Sequence, residues 1–254
     1  MLYLISMGLA EGRDMSLRAL EAAGRCDKLY AEFYTTGMHT DVQKLSKLIG
    51  KNVQGIRRFD LENNSEKIVS EAKSSDIGIL VGGDALTATT HISLLQEAIE
   101  MKIKYKVIHG SSIYTAVAET GLQLYNFGKT VSLPFPQKNY KPEGFLETIE
   151  TNKRSGLHTL FLLDIKEEEK KYMDAPAGAE LLIELFKRRK SKIVSEATKA
   201  VAACMLGAAK QSIVCSSLKG ISENKGLRGK TPAVLIVPGK LHFMEEEFLA
   251  HFRK

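Results

Sequence analysis

The chain has 254 residues, 44% of them hydrophobic and 26% charged, a globular composition long enough to bury one large core or two smaller ones, which excludes disordered, collagenous and low-complexity readings. Its longest stretches free of Asp, Glu, Lys and Arg run twelve residues, at 85–96 and 107–118, short of the roughly 20 apolar residues that span a bilayer. The formal charge of +6 is uneven: residues 1–126 carry 14 Lys and Arg against 15 Asp and Glu, and residues 127–254 carry 22 against 15. Such a basic half suits either an anionic partner or plain solubility.

The first basic residue, Arg13, follows the apolar run 2–9 instead of preceding it. That order reverses a secretory signal, so a cytoplasmic protein with no membrane partner is expected. Residues 2–7 predict a buried strand ending at Gly8. Asp14 and Ser16 can then cap a helix through Leu17, Leu20 and Ala23 that stops at Gly24. A strand at 28–33, a helix at 42–49 ended by Gly50, a strand at 53–59 and a helix at 65–73 follow. Residues 76–81 form the next apolar run, ending in Gly82-Gly83. A helix over about 89–101 and a strand at 105–109 complete the series. This alternation predicts a mostly parallel sheet covered on both faces.

Residues 122–128, Leu-Gln-Leu-Tyr-Asn-Phe-Gly, lead through 130–133 to a break at Pro134, Pro136 and Pro142. The boundary is expected near there, giving domains 1–128 and 129–254. Beyond it the pattern predicts strands at 158–165, 200–206 and 234–237, a helix at 178–190, and an extended or helical segment at 212–218. A second α/β domain of mixed strand direction results.

Three loops sit where α/β proteins place ligands, at the carboxyl ends of strands. Gly8-Leu9-Ala10-Glu11-Gly12 lacks the third glycine of a dinucleotide fingerprint and reads as a tight turn. Gly82 to His91 offers two glycines, the anion of Asp84, and the hydroxyls of Thr87, Thr89 and Thr90. It suits a zwitterionic small molecule, and equally an Asp-capped helix start. His109-Gly110-Ser111-Ser112 is again a strand, a small-residue turn and a helix start; Ser112 reads as a cap, since no Gly-x-Ser-x-Gly occurs. The six histidines show no metal spacing, so no metal is expected, and His91 and His109 default to neutral structural histidines. Cys26, Cys204 and Cys215 read as small buried hydrophobes. The basic run 187–190 suits a helix C-terminus and a docking patch, and the acidic runs at 167–169 and 245–247 read as solvated helical charge. There is no tryptophan, and sheet-type RNA-stacking motifs are missing, so no direct nucleic acid is required.

Nearly end to end, the chain resembles the diphthine synthases, a branch of the tetrapyrrole methylase superfamily. The resemblance is carried by Leu4-Ile5-Ser6-Met7-Gly8-Leu9, Ala31-Glu32-Phe33-Tyr34-Thr35, Gly83-Asp84-Ala85-Leu86-Thr87-Ala88-Thr89-Thr90-His91, Ser112-Ile113-Tyr114, Gly121-Leu122-Gln123-Leu124-Tyr125-Asn126-Phe127-Gly128, Gly156-Leu157-His158-Thr159-Leu160 and Pro238-Gly239-Lys240-Leu241-His242. It implies two α/β domains with the active-site cleft between them. The implied activity is methyl transfer from S-adenosylmethionine, leaving S-adenosylhomocysteine, to the amino group of a modified histidine of translation elongation factor 2. Matched motif to motif, the implied cofactor contacts are Leu9, Asp84, Thr87, Ser112, Ile113, Leu163, Leu206 and Ala233. No catalytic residue is implied, and a homodimer is. A methyltransferase acting on a tetrapyrrole or RNA is the alternative; from another class, the basic half leaves open a cofactor-free RNA-binding module.

Overall fold

The computed structural model describes residues 1–136 and 144–253, and Pro142 of the expected break lies outside them. The chain divides into two compact units, Met1–Tyr114 and Thr115–Lys254.

The first unit alternates strand and helix: β1 (Leu2–Ser6), α1 (Leu17–Arg25), β2 (Lys28–Glu32), α2 (Val42–Ile49), β3 (Val53–Ile56), α3 (Arg58–Glu62), α4 (Ser65–Glu71), β4 (Ile77–Val81), α5 (Ile92–Glu100), β5 (Tyr105–Ile108) and the single turn α6 (Ile113–Ala116). Local chemistry sets these boundaries. Ser16 Oγ accepts from Ala19 N at 3.1 Å to start α1, and Asp41 accepts from Lys44 N at 2.8 Å to start α2. Gly50, at φ +75, ends α2 where a side chain would be strained. The strand expected at 53–59 stops at Ile56, because Arg57 N donates to Asp60 Oδ2 at 3.1 Å and opens α3 instead. α5 starts at Ile92, not near 89, since Thr89 turns its hydroxyl onto Ala85 O at 2.7 Å.

All strand pairs of this sheet are parallel, in the order β3-β2-β4-β1-β5. Alternate residues serve opposite faces: Leu2, Leu4, Ile77, Ile79 and Val81 pack with α4 and α5, while Ile5, Met7, Leu29, Ala31 and Leu80 pack with α1 and α2. Ile77, Ile79, Leu80 and Val81 are fully buried, each stabilising the fold by roughly 1.5–3 kcal/mol. The order has a consequence for ligands. From β1 the chain crosses toward β2, and from β4 it crosses the other way toward β5, so the tips of β1 and β4 flank a topological switch point.

The second unit contains β6 (Val131–Leu133), α7 (Gly144–Arg154), β7 (Thr159–Leu163), the hairpin β8 (Ile165–Lys166) and β9 (Lys171–Tyr172), α8 (Ala175–Arg189), β10 (Lys199–Cys204), β11 (Ser212–Ser217), α9 (Leu218–Ser222), β12 (Ala233–Val237) and α10 (Phe243–Ala250). Its five-stranded sheet runs β11-β10-β12-β7-β6, with only β6 and β7 parallel, the mixed direction expected. Segment 212–218 resolves into a strand and then a helix, which Ser217 caps by accepting from Gly220 N at 2.9 Å. α8 begins three residues before the expected 178, where Asp174 caps it ahead of a proline in its first turn. Residues 115–128 bond within this unit: Gln123 N donates to Glu245, and Phe127 bridges His158. Among the described residues no helix is long and apolar enough to cross a membrane.

Candidate active site

At the switch point the β1 and β4 loops are tied backbone to backbone. Gly8 N donates to Gly83 O at 3.1 Å, and Gly83 N to Gly8 O at 2.8 Å. Both residues have positive φ, +82 and +73, the left-handed region that favours glycine. The reasons for glycine differ. A Cβ on Gly8 would stand 2.6 Å from Asp14 Cβ, whereas one on Gly83 would have no heavy atom within 4 Å. Gly8 is therefore required by packing, and Gly83 presents bare backbone to open space. Leu9 follows in a turn closed by Asp14, whose Oδ2 accepts from Ala10 N at 2.8 Å and Glu11 N at 3.0 Å.

Asp84 is the hub of the site. Its side chain is buried, and four donors converge on it: Leu86 N and the Thr87 hydroxyl on Oδ1, each at 3.1 Å, and His109 Nδ1 at 2.9 Å and Gly110 N at 3.1 Å on Oδ2. Burial pushes its carboxyl up, but these bonds outweigh that and hold it below the usual range, so it is an anion. One carboxylate thus folds its own turn and fastens the β4 loop to the β5 loop. Ser6 Oγ, at the end of β1, accepts from Ala85 N at 2.9 Å. Ser112 is buried beside Gly110, and Ile113, half-buried, opens α6.

Two further groups stiffen these loops. His91 is buried, bonded at Nε2 to the Tyr34 hydroxyl and at Nδ1 to Ala85 O, each at 3.2 Å. Burial lowers its pKa, so it is the neutral structural histidine expected. His109 differs in its exposure: its side chain is 69% exposed while its Nδ1 is held by Asp84. Glu32, at the end of β2, is fully buried and accepts from Tyr34 N at 2.9 Å, Thr35 N at 3.1 Å and the Thr35 hydroxyl. Burial raises its carboxyl to about 7. It folds the loop that follows β2, a role that sequence reasoning missed although a carboxylate closing an apolar strand was the available signal.

In the second unit, Leu163 ends β7, Leu206 follows β10, and Ala233 opens β12. Because β12 is antiparallel to both β7 and β10, all three lie at one end of that sheet. Cys204 pairs with Ala233, and Met205 N donates to Pro232 O at 2.8 Å. Met205 and Gly207, at φ +56 and +81, turn the backbone around Leu206. The three residues are buried and apolar, so they can meet a polar ligand only through main-chain groups.

One sequence reading is overturned. Glu245, expected to be a solvated helical charge, is 0% exposed, as is His158. Its Oε1 accepts from Gln123 N at 2.8 Å, His158 Nε2 at 3.1 Å and Asn126 Nδ2 at 3.4 Å, and its Oε2 accepts from His242 N at 2.7 Å. Gly239 N donates into His158 Nδ1 at 3.0 Å, which leaves the ring proton on Nε2. This pair joins the 122–128 and 238–242 segments, and helical periodicity could not separate Glu245 from its exposed neighbours Glu246 and Glu247. The three cysteines are buried, as expected. Among the described residues no group of three His, Cys, Asp or Glu could hold a metal ion.

Comparison with known proteins places this geometry in a family. Residues 1–221 match the model of the tetrapyrrole (corrin/porphyrin) methylases. The chain is 43% identical to the diphthine synthase of Methanocaldococcus jannaschii over 254 residues, 99% of this chain and 98% of that protein. It is 38% identical to the diphthine synthase of Methanococcus vannielii over the same shares. A crystal structure of diphthine synthase superposes with a TM-score of 0.89 at 31% identity, covering 99% of this chain and 95% of that one.

Proposed function

The chain belongs to the tetrapyrrole methylases, among the diphthine synthases, and from that premise we propose that it methylates the amino group of the 3-amino-3-carboxypropyl histidine of translation elongation factor 2, using S-adenosylmethionine, to give diphthine. The observation that carries this is the reciprocally bonded Gly8–Gly83 pair at the switch point, with Gly83 facing open space. A ligand with an amino acid end and a nucleoside can approach such bare backbone closely.

Leu9, Asp84, Thr87, Ser112 and Ile113 from the first unit, and Leu163, Leu206 and Ala233 from the second, are the proposed cofactor residues. Most are apolar or small, which favours recognition through main-chain N–H and C=O groups. Asp84 contributes through the turn it shapes, since its oxygens already accept four donors. S-adenosylmethionine supplies a methyl group already activated on a sulfonium. The protein's task is to hold the acceptor nitrogen in line with that methyl group and without its proton. A homodimer working in the cytoplasm on its elongation factor completes the proposal.

Labelled S-adenosylmethionine, incubated with elongation factor from a strain blocked at this step, tests the acceptor. Label in the factor is expected; label entering a tetrapyrrole or RNA instead overturns it. S-adenosylhomocysteine at 100 times its Kd should stabilise the protein by about 2.7 kcal/mol, and an unmoved thermal transition rules out a methyltransferase.

A further inference from the structure

We infer that His109 is the proton acceptor for the amine that is methylated, oriented for that work by Asp84. This rests on the methyltransferase reading above. Its Nδ1 lies 2.9 Å from Asp84 Oδ2. An ionised carboxylate can only accept, so Nδ1 carries the hydrogen and, in the neutral ring, the lone pair is on Nε2. Asp84 is buried while the His109 side chain is 69% exposed, so the ring is anchored on its Nδ1 side and open to solvent over most of its surface. The two buried histidines differ: His91 is bonded through both nitrogens to Tyr34 and Ala85, and His158 to Glu245 and Gly239.

The location fits the task. A Cβ built on Gly110, the next residue, would stand 2.8 Å from Ser6 Cβ and 3.6 Å from both Gly8 N and Gly83 O. The His109 turn therefore packs directly on the glycine pair proposed to receive the methyl donor. Among the loops at these tips, Asp84 is the charged group on His109. In the β1 loop, Asp14 is engaged by Ala10 N and Glu11 N, and Arg13 pairs with Glu11 at 3.4 Å.

An α-amino group titrates at about 7.7–8.0 in model peptides, so near neutral pH most of the acceptor carries a proton and has no lone pair. Nε2 of His109 takes that proton. The freed nitrogen pair forms the N–CH3 bond as the S–CH3 bond breaks, and the electrons of the broken bond remain on sulfur. The imidazolium, balanced by Asp84, returns its proton to water before another round.

His109→Asn tests this, because the Asn amide can still donate to Asp84 but has no basic nitrogen. Calorimetry should give S-adenosylhomocysteine the same affinity within about twofold. Single-turnover methylation at pH 7 should slow by about 100-fold, within the usual range for general-base catalysis. The gap should close as pH rises past the amine's own titration, and added imidazole should restore part of the rate. Independently of activity, 15N spectra of the wild type should show the His109 proton on Nδ1. An unchanged rate and pH profile, a rate loss matched by an equal loss of affinity, or a proton found on Nε2 overturns the proposal. Wild-type protein that neither binds S-adenosylhomocysteine nor transfers methyl overturns the methyltransferase reading instead.

Discussion

Replacing Glu245 by Gln separates a buried charge from the solvated ones beside it. The carboxylate accepts from three donors on Oε1 and from His242 N on Oε2. An amide offers one acceptor oxygen and one NH2 group, so at least one donor must face another donor. His158 cannot relieve the conflict by changing tautomer, because Gly239 N–H already occupies its Nδ1. A buried donor left unpaired costs about 1–3 kcal/mol, and hydrogen bonds that lose a charged acceptor weaken by about 1 kcal/mol. A total of about 3 kcal/mol follows, a fall in Tm of roughly 6–12 °C for a chain of this size. Glu246→Gln is the control: Glu246 is exposed, its nearest cations being Lys199 at 3.5 Å and Arg253 at 3.9 Å, so it should cost under about 1 kcal/mol. Thermal and urea unfolding of the two variants decide the matter. Equal shifts, or a Glu245→Gln protein within about 2 °C of wild type, would refute the buried network.

Three further outcomes are expected. Gly83→Ala and Gly50→Ala place a Cβ in open space at nearly the same φ, +73 and +75, so each should lose about 1–2 kcal/mol of stability; only Gly83→Ala should also weaken S-adenosylhomocysteine binding, by tenfold or more in calorimetry, and equal affinities would disprove the cradle. The folded-state pKa of Glu32, raised by burial to about 7, gives a contribution to stability that is complete below the unfolded carboxyl pKa and lost as pH rises through about 7; urea unfolding at pH 5.5 and 8 should show wild type losing stability across that interval, with Glu32→Gln flattening the slope. Burial raises the Cys26 thiol to about 11 and the Cys204 thiol to about 12, and Cys215 is raised as well; native protein should release no thionitrobenzoate from Ellman's reagent within minutes, and three equivalents once unfolded in guanidinium.

Much of the first unit is readable from local pattern. The run 77–81 is apolar throughout because a strand of a parallel sheet is buried on both faces, and Ser16, Asp41 and Gly50 mark helix ends through bonds or dihedral angles confined to a few neighbours. The misreading at 53–59 has the same origin: Arg57 to Asp60 is a local bond that apolar alternation does not register. At the site, glycine loops announce themselves, but their chemistry does not. Asp84 looks alike as a cap or as a ligand anion until His109 and Gly110, about 25 residues away, are seen on its carboxylate.

The residues therefore determined by themselves most strands of the first sheet, the start of α1 and the end of α2, and which loops carry bare backbone, since each depends on side-chain period, capping or sterics within a few positions. Tertiary structure alone decided the order β3-β2-β4-β1-β5, the pairing of Gly8 with Gly83, the exposure of His109 on a buried Asp84, and the burial of Glu245 on His158. Those features join groups from 25 to 87 positions apart, and at that range the partner is chosen by how whole faces pack and by which polar atoms the packing would otherwise leave unpaired.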